Sequence, residues 1–271
     1  MPHMMSKSEQ IARMLLDRIV EEKLQAGDFL GTEAELLEQF QVSRPTIREG
    51  LRILQMQGVL TLRPGPKGGI IIARPSIDVL AHSLSVLLSI NSIPFSAVLQ
   101  ARLAIEPILV RDAALYGTEA DFAAMDASIT RLEAAGADGQ AIYTENRTFH
   151  NLIAHAAHNP VLEVFWSTIR ILASGEGMGL RYTERNRQHI IASHRAIVAA
   201  LRNRAADTAQ RLIVEHLSEL EDLLRRRHRH ELQHPAQLAF RGSAARSIDI
   251  LRLETQARNV AATTKGEDDE A

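Results

Sequence analysis

Asn146 and His150 stand four residues apart, so in a helix they share one face. His194 and His216 lie equally far in sequence on either side of Ala205, where Ala205-Ala206-Asp207 predicts a break with Asp207 as a cap. In an antiparallel helical hairpin folded at that break, the two imidazoles reach the same height. With His150 they would form a compact nitrogen-rich site suited to Zn, Ni or a similar ion. A second chemical pattern lies nearer the N-terminus. Arg44, Arg48 and Arg52 recur every four residues, followed by Arg63, Lys67 and Arg74, with Glu49 the sole acid in that stretch. The planar fork of arginine pairs bidentately with guanine or phosphate, so this local positive excess points to nucleic acid. Each arginine taken singly reads equally well as part of a solvated helix face. His155, His158, His189, His228, His230 and His234 are read as surface or structural, because a chain with 11 His brings accidental spacings. The run from Arg225 to His230 is read as a solvated helix end.

The chain that must position these groups has 271 residues, enough for two domains. It is 45% hydrophobic and 24% charged, ordinary for a globular protein, and its low aromatic content of 4% leans towards helix. A net charge of −2 conceals the local basic stretch. The absence of cysteine excludes disulfides, thiolate metal sites and cysteine nucleophiles, so a metal must be held by His, carboxylate or amide ligands. The longest apolar run, Leu84 to Ile90, is far short of a membrane span. Met1 to Lys7 lacks the apolar core of a signal peptide, so a cytoplasmic protein with no membrane partner is expected.

Residues 8–26 read as an amphipathic helix, with Ile11, Met14, Leu15, Ile19 and Leu24 at helical spacing and Gly27 as its stop. Thr32-Glu33-Ala34-Glu35 is a capping box before a short helix carrying Leu36, Leu37 and Phe40. Gln41-Val42-Ser43 connects to a third helix from Arg44 to Gln57, with Ser43 as N-cap and Pro45 in the first turn. Gly58 stops it. Val59 to Leu62 and Ile70 to Ile72 predict a β-hairpin whose tip, Arg63 to Gly69, is rich in Gly and Pro. Helix, turn, helix, hairpin is the order of a winged helix-turn-helix. Ser43, Arg44, Thr46 and Arg48 then sit at the end of the recognition helix that meets DNA. Gly65, Gly68 and Gly69 would let the wing approach a groove.

The stretches Thr32-Glu33-Ala34-Glu35-Leu36 and Val42-Ser43-Arg44-Pro45-Thr46-Ile47-Arg48-Glu49-Gly50-Leu51-Arg52, with the Gly-rich wing, closely resemble the N-terminal domain of GntR-family regulators over residues 8–74. The resemblance implies that Arg44, Thr46 and Arg48 contact an operator, that Ser43 helps hold phosphate, and that the wing around Lys67, Gly68 and Gly69 reaches the minor groove. Thr32 and Arg52 complete the implied set. The family often has arginine where this chain has Ala34, which suggests a weaker backbone grip or compensation elsewhere.

Arg74-Pro75-Ser76 reads as a linker, placed at residues 75–78. From 79 to 232 the pattern is helical, interrupted near Asn91–Pro94, Gly117, Gly136–Gly139, Asn159-Pro160, Gly175–Gly179 and Ala205–Asp207. The fold class expected is mainly α, a winged helix-turn-helix followed by an all-α bundle of six or seven helices. The tail, 235–271, is expected to be partly disordered, with one weak helix around Ile248–Ala257 and an acidic end.

Gln100 to Glu106, Asn146 to His150 with Asn159-Pro160, His194 to Ile197 and His216 resemble the ligand-binding domain of the FadR subfamily, the FCD type. In metal-binding members the ligands match Asn146, His150, His194 and His216, and the ion (Zn, Ni or Mn) helps hold a carboxylate effector. The first ligand is often Asp. An amide oxygen ligates without charge, so Asn146 lowers the expected affinity for a hard ion. Arg102 matches an arginine that faces the effector carboxylate; its structural alternative is an exposed i, i+4 ion pair with Glu106. The resemblance implies a homodimer that binds a palindromic operator as a ligand-responsive repressor. A metal-free acyl-CoA-type pocket is the alternative effector site. A metallohydrolase on the same histidines, assisted by Asn146 or Glu145, is the rival from another class, though no clear base accompanies the ligands. A non-specific architectural DNA binder would leave the helical domain without a role.

Overall fold

The structure is a computed structural model that describes residues 4–65, 68–173, 183–227 and 229–234. The chain divides into two compact units, Met1–Val79 and Leu80–Ala271. In the first, α1 (Lys7–Glu21), β1 (Phe29–Gly31), α2 (Glu33–Phe40) and α3 (Arg44–Met56) precede β2 (Leu60–Arg63) and β3 (Gly69–Ile72). Leu15, Leu36, Ile47, Leu51 and Leu54 close the core between the helices, and Leu60 and Ile70 carry it under the sheet. The strands lie antiparallel in the order β1-β3-β2, with Leu60 opposite Ile72 and Arg63 opposite Gly69.

Two details depart from the sequence reading. The first helix ends at Glu21 rather than running to residue 26. Lys23 turns left-handed (φ 54°), its N–H bonds the Val20 carbonyl, and the Leu24 N–H bonds the Ile19 carbonyl, at 3.2 and 3.0 Å. This is a Schellman closure, in which the apolar residue just past the end packs back onto the core instead of extending the helical stripe. The strand β1 has no periodic signal of its own; it exists because Phe29 pairs with Ile71 of the wing. The Phe29 ring also explains Gly69, where an added Cβ would come within 2.3 Å of Phe29 Cε2. That glycine lets the Phe29 ring lie against the wing.

In the second unit α4 (Ile77–Ile90) crosses the unit boundary and begins within the expected linker. It is followed by α5 (Phe95–Tyr116), α6 (Glu119–Ala134), α7 (Gly139–Ala156), α8 (Pro160–Leu172), α9 (Glu184–Arg202), α10 (Ala206–Arg227) and the short α11 (Arg229–Gln233). The expected breaks coincide with caps: Thr118 opens α6, Asp138 opens α7, and Asn159, with Pro160 at the first position, opens α8. The break at Gly175–Gly179, the tail and its expected helix lie outside the described residues. α9 closes on a second Schellman motif, with Arg204 left-handed (φ 55°) and the Ala205 N–H on the Ala200 carbonyl at 2.9 Å. α10 starts one residue before Asp207, so Asp207 sits in the first turn, where its charge favours the helix N-terminus, rather than at the cap. α5 packs against α7, α8, α9 and α10 around Leu109, Phe149, Ile153, Trp166, Ile197 and Ile213. No described helix is long and apolar enough to cross a membrane.

Candidate metal centre and DNA-reading face

Three helices of the second unit bring His150 (α7), His194 (α9) and His216 (α10) together, with one ring nitrogen of each within 4.8 Å of the others. The tight α9–α10 turn puts the His194 and His216 rings 5.0 Å apart, as the symmetric spacing about Ala205 predicts. His150 stands 5.3 Å from His216 and 5.6 Å from His194, ring to ring. All three are buried. Phe149 stacks flat on His194 at 3.7 Å and fixes its plane.

The hydrogen bonding is incomplete in a way that favours an ion. Nδ1–H of His150 donates to Glu106 of α5, which leaves Nε2 with a lone pair aimed inward, 3.3 Å from Nε2 of His216. Among the described residues both nitrogens of His194 and Oδ1 of Asn146, one turn before His150, are buried without a partner. A buried polar atom left unpaired costs about 1–3 kcal/mol. Lone pairs from three imidazoles meeting in a dry site suit a borderline transition ion. The residues present therefore fit a metal.

Glu106 is the residue whose role the sequence did not show. Its pair with Arg102 is real, at 2.9 Å, but its carboxylate is wholly buried and Arg102 is only 13% exposed, rather than both lying on an exposed helix face. Glu106 spans Arg102 and His150, the carboxylate–histidine arrangement that sets the tautomer and orientation of a metal-binding ring. Arg102 lies 5.5 Å over the Trp166 ring and lines a cleft between α5 and α10 with Leu99, Leu103, Leu217, Glu221 and Leu224. The only sequence signal for Glu106 was its place one turn after Arg102. Glu145 turns elsewhere, pairing with Arg131 at 3.0 Å and with Ser128. The carboxylate that does reach the cluster is held by His150 and Arg102. Glu106→Gln is expected to lower transition-metal affinity about 10- to 100-fold, read by competition with a chromogenic chelator. Unchanged affinity would make Glu106 a purely structural partner of Arg102.

Electrostatics keep the imidazoles neutral. Burial pushes His150 down, assisted by Arg102 and opposed by Glu106. Burial and the two neighbouring rings hold His194 well below its ordinary value; burial, the His150 ring and the Arg102 guanidinium bring His216 to about 3. For Glu106 burial acts upward, but the His150 ring and the Arg102 guanidinium outweigh it and hold the carboxyl at about 2. All four shifts are downward, so the native state resists protons that the unfolded chain accepts. Stability of the chelator-stripped protein is then fully present above pH 6.5, the ordinary value of the imidazoles. It falls as pH drops below that, by up to about 1.4 kcal/mol per pH unit for each imidazole. Urea midpoints across pH 7 to 4 check this; a flat profile would show that the rings already protonate in the native state.

The first unit presents the basic residues. Ser43 caps α3, its Oγ 2.8 Å from Thr46 Oγ1 and accepting the Thr46 N–H. Thr32 caps α2 through the expected box, its Oγ1 accepting the Glu35 N–H at 3.2 Å. Arg44 and Arg48 are 70% and 66% exposed and flank Glu33, which takes Nε of Arg48 on both carboxylate oxygens, at 3.0 and 3.1 Å. Arg52 folds back onto Glu49 with two bonds of 2.9 Å. Gly68 sits where a Cβ would meet the Arg63 carbonyl at 2.1 Å, so it too has a reason inside the hairpin. Lys67 lies outside the described residues. The capped α3 N-terminus with two exposed arginines is an anion-receiving end by charge and by dipole.

A winged helix with this basic end, followed by a helical domain built around a buried histidine cluster, has the make-up of a DNA-binding transcriptional regulator. Residues 7–69 match the bacterial regulatory proteins of the gntR family, and residues 97–219 match the FCD domain. The chain is 30% identical over 216 residues to the uncharacterized HTH-type transcriptional regulator YcbG of Bacillus subtilis (strain 168), covering 78% of this chain and 89% of that one. It is 28% identical over 213 residues to the galactonate operon transcriptional repressor of Escherichia coli (strain K12), covering 76% and 91%. Among solved structures, Streptococcus agalactiae GntR superposes with a TM-score of 0.65 at 25% identity, covering 80% of this chain and 99% of that one. The chain belongs to the GntR family, in the branch that carries an FCD domain.

Proposed function

We propose that this chain is a repressor that binds a palindromic operator as a homodimer and releases it when a small carboxylate occupies the helical domain. In this reading Asn146, His150, His194 and His216 hold a divalent transition ion, Zn, Ni or Mn. The observation that carries it is the buried cluster of three histidines, with both nitrogens of His194 unpartnered among the described residues, linked through Glu106 to Arg102, which lines the α5–α10 cleft. The ion, when bound, supplies a Lewis-acidic anchor for an oxygen of the effector. Arg102 supplies the second charge, its guanidinium oriented by Glu106 and by the Trp166 ring. The relative named for a galactonate operon supports a carboxylate of this kind.

On DNA, Arg44, Thr46 and Arg48 read base edges, Thr32, Ser43 and Arg52 hold the backbone, and the wing at Lys67, Gly68 and Gly69 enters the minor groove. The effector acts only if it binds the free and operator-bound states with different affinity. The test is operator binding by fluorescence anisotropy with a panel of sugar acids and small hydroxy-carboxylates, on metal-loaded and chelator-stripped protein. Weakening by one such acid only in the loaded protein is the expected result. Release by acyl-CoA, equal with and without metal, would replace this reading with the metal-free pocket.

A further inference from the structure

The short α11 carries His230-Glu231-Leu232-Gln233, and His234 follows directly at its end. Histidines four apart share one helix face. Here Nε2 of His234 lies 3.0 Å from Nδ1 of His230, and both residues are exposed. Two nitrogens on one ion, each at the usual bond length, stand about 2.9–3.3 Å apart. One ring now donates its N–H to the other; an ion in that place would take both lone pairs with little movement of either ring. We propose that His230 and His234 form a second, solvent-facing site for a borderline divalent ion, Cu, Ni or Zn rather than Mg or Ca.

The site shares no residue with the buried cluster and stands or falls independently of it. The spacing is that of the H-E-x-x-H zinc motif. Among the described residues, however, no third His, Cys or carboxylate closes it. With these two histidines as its protein ligands, the site acts as a chelating clip.

The position of α11 says what the clip would do. A five-residue helix does not persist by itself. This one is held by Leu232, buried with Phe95, Val98, Leu99, Leu172 and Leu224. The carbonyl of His234 accepts the Phe95 N–H at 2.9 Å. Phe95 opens α5, and its N-cap, Pro94, gives no side-chain hydrogen bond. α11 therefore supplies a capping acceptor to the helix that carries Arg102 and Glu106. An ion across its one exposed turn fastens that cap.

The experiment uses the full chain, purified without a histidine tag and stripped with chelator, equilibrated against rising free Ni. Bound metal per protomer is measured in the wild type, in His194→Ala and in the double variant His230→Ala with His234→Ala. Expected are one more ion in the wild type than in the double variant, an ion retained by His194→Ala, and slower amide exchange over 229–234 and at Phe95 on loading. Equal uptake by wild type and double variant, or no uptake by His194→Ala, overturns the proposal. An ion kept by His194→Ala and absent from the double variant would uphold this site and sink the buried metal centre.

Discussion

Arg48→Ala is expected to weaken specific operator binding on the order of 5- to 150-fold, because a lost bidentate base contact costs about 1–3 kcal/mol. The fold should survive, since the side chain is 66% exposed and contributes nothing to the core between α1 and α3. A second cost comes from Glu33. In the intact protein its carboxylate is occupied by Arg48, and it lies 4.0 Å from Arg44. Without Arg48 that charge faces the phosphates and draws Arg44 towards itself. The double variant Arg48→Ala with Glu33→Gln should therefore recover part of the affinity but not the sequence preference. Anisotropy titrations on operator and scrambled duplexes at several salt concentrations separate these terms. A loss equal on both duplexes, with the salt slope reduced by about one, would reassign Arg48 to phosphate. Unchanged affinity would remove it from the interface.

Loss of the metal response in His194→Ala should be as large. A ligand that binds only the native state at about a thousand times its Kd adds roughly 4 kcal/mol of stability. His194 is fully buried, and both its nitrogens lack any partner among the described residues, so a bound ion is their one evident use. The variant removes the ring that Phe149 stacks on, and the stripped protein will itself shift in stability. The quantity to read is the difference in melting temperature between loaded and stripped forms, expected to collapse in His194→Ala and in His216→Ala. Operator binding without effector should persist, while release by the carboxylate effector should disappear. A variant that keeps the full thermal shift would show that its histidine is not a ligand.

The legible parts of this chain are those decided within a turn or two of sequence. The Thr32–Glu35 box, Ser43 with Pro45, the breaks near Gly117, Gly136–Gly139 and Asn159-Pro160, and the α9–α10 turn are local solutions that short motifs announce. That turn carries more than its own length. Equal spacing about Ala205, plus antiparallel helices, is enough to place His194 against His216. The same locality explains the errors. Leu24 continues the apolar periodicity of α1, yet it belongs to a closing motif in which an apolar residue returns to the core. Phe29 becomes a strand residue only because Ile71 arrives beside it.

By itself the sequence determined the helical class, the winged DNA-reading unit, the basic recognition end and three of the residues that meet in the second unit. The tertiary structure alone decided that Glu106 is dry, that it holds His150 as well as Arg102, and that Phe149 and Trp166 fix the neighbouring groups. An Arg and a Glu one turn apart look the same in a sequence whether water or protein surrounds them. Here α7, α8, α9 and α10 close around α5 and exclude the water, and that exclusion turns an ordinary surface pair into part of a site.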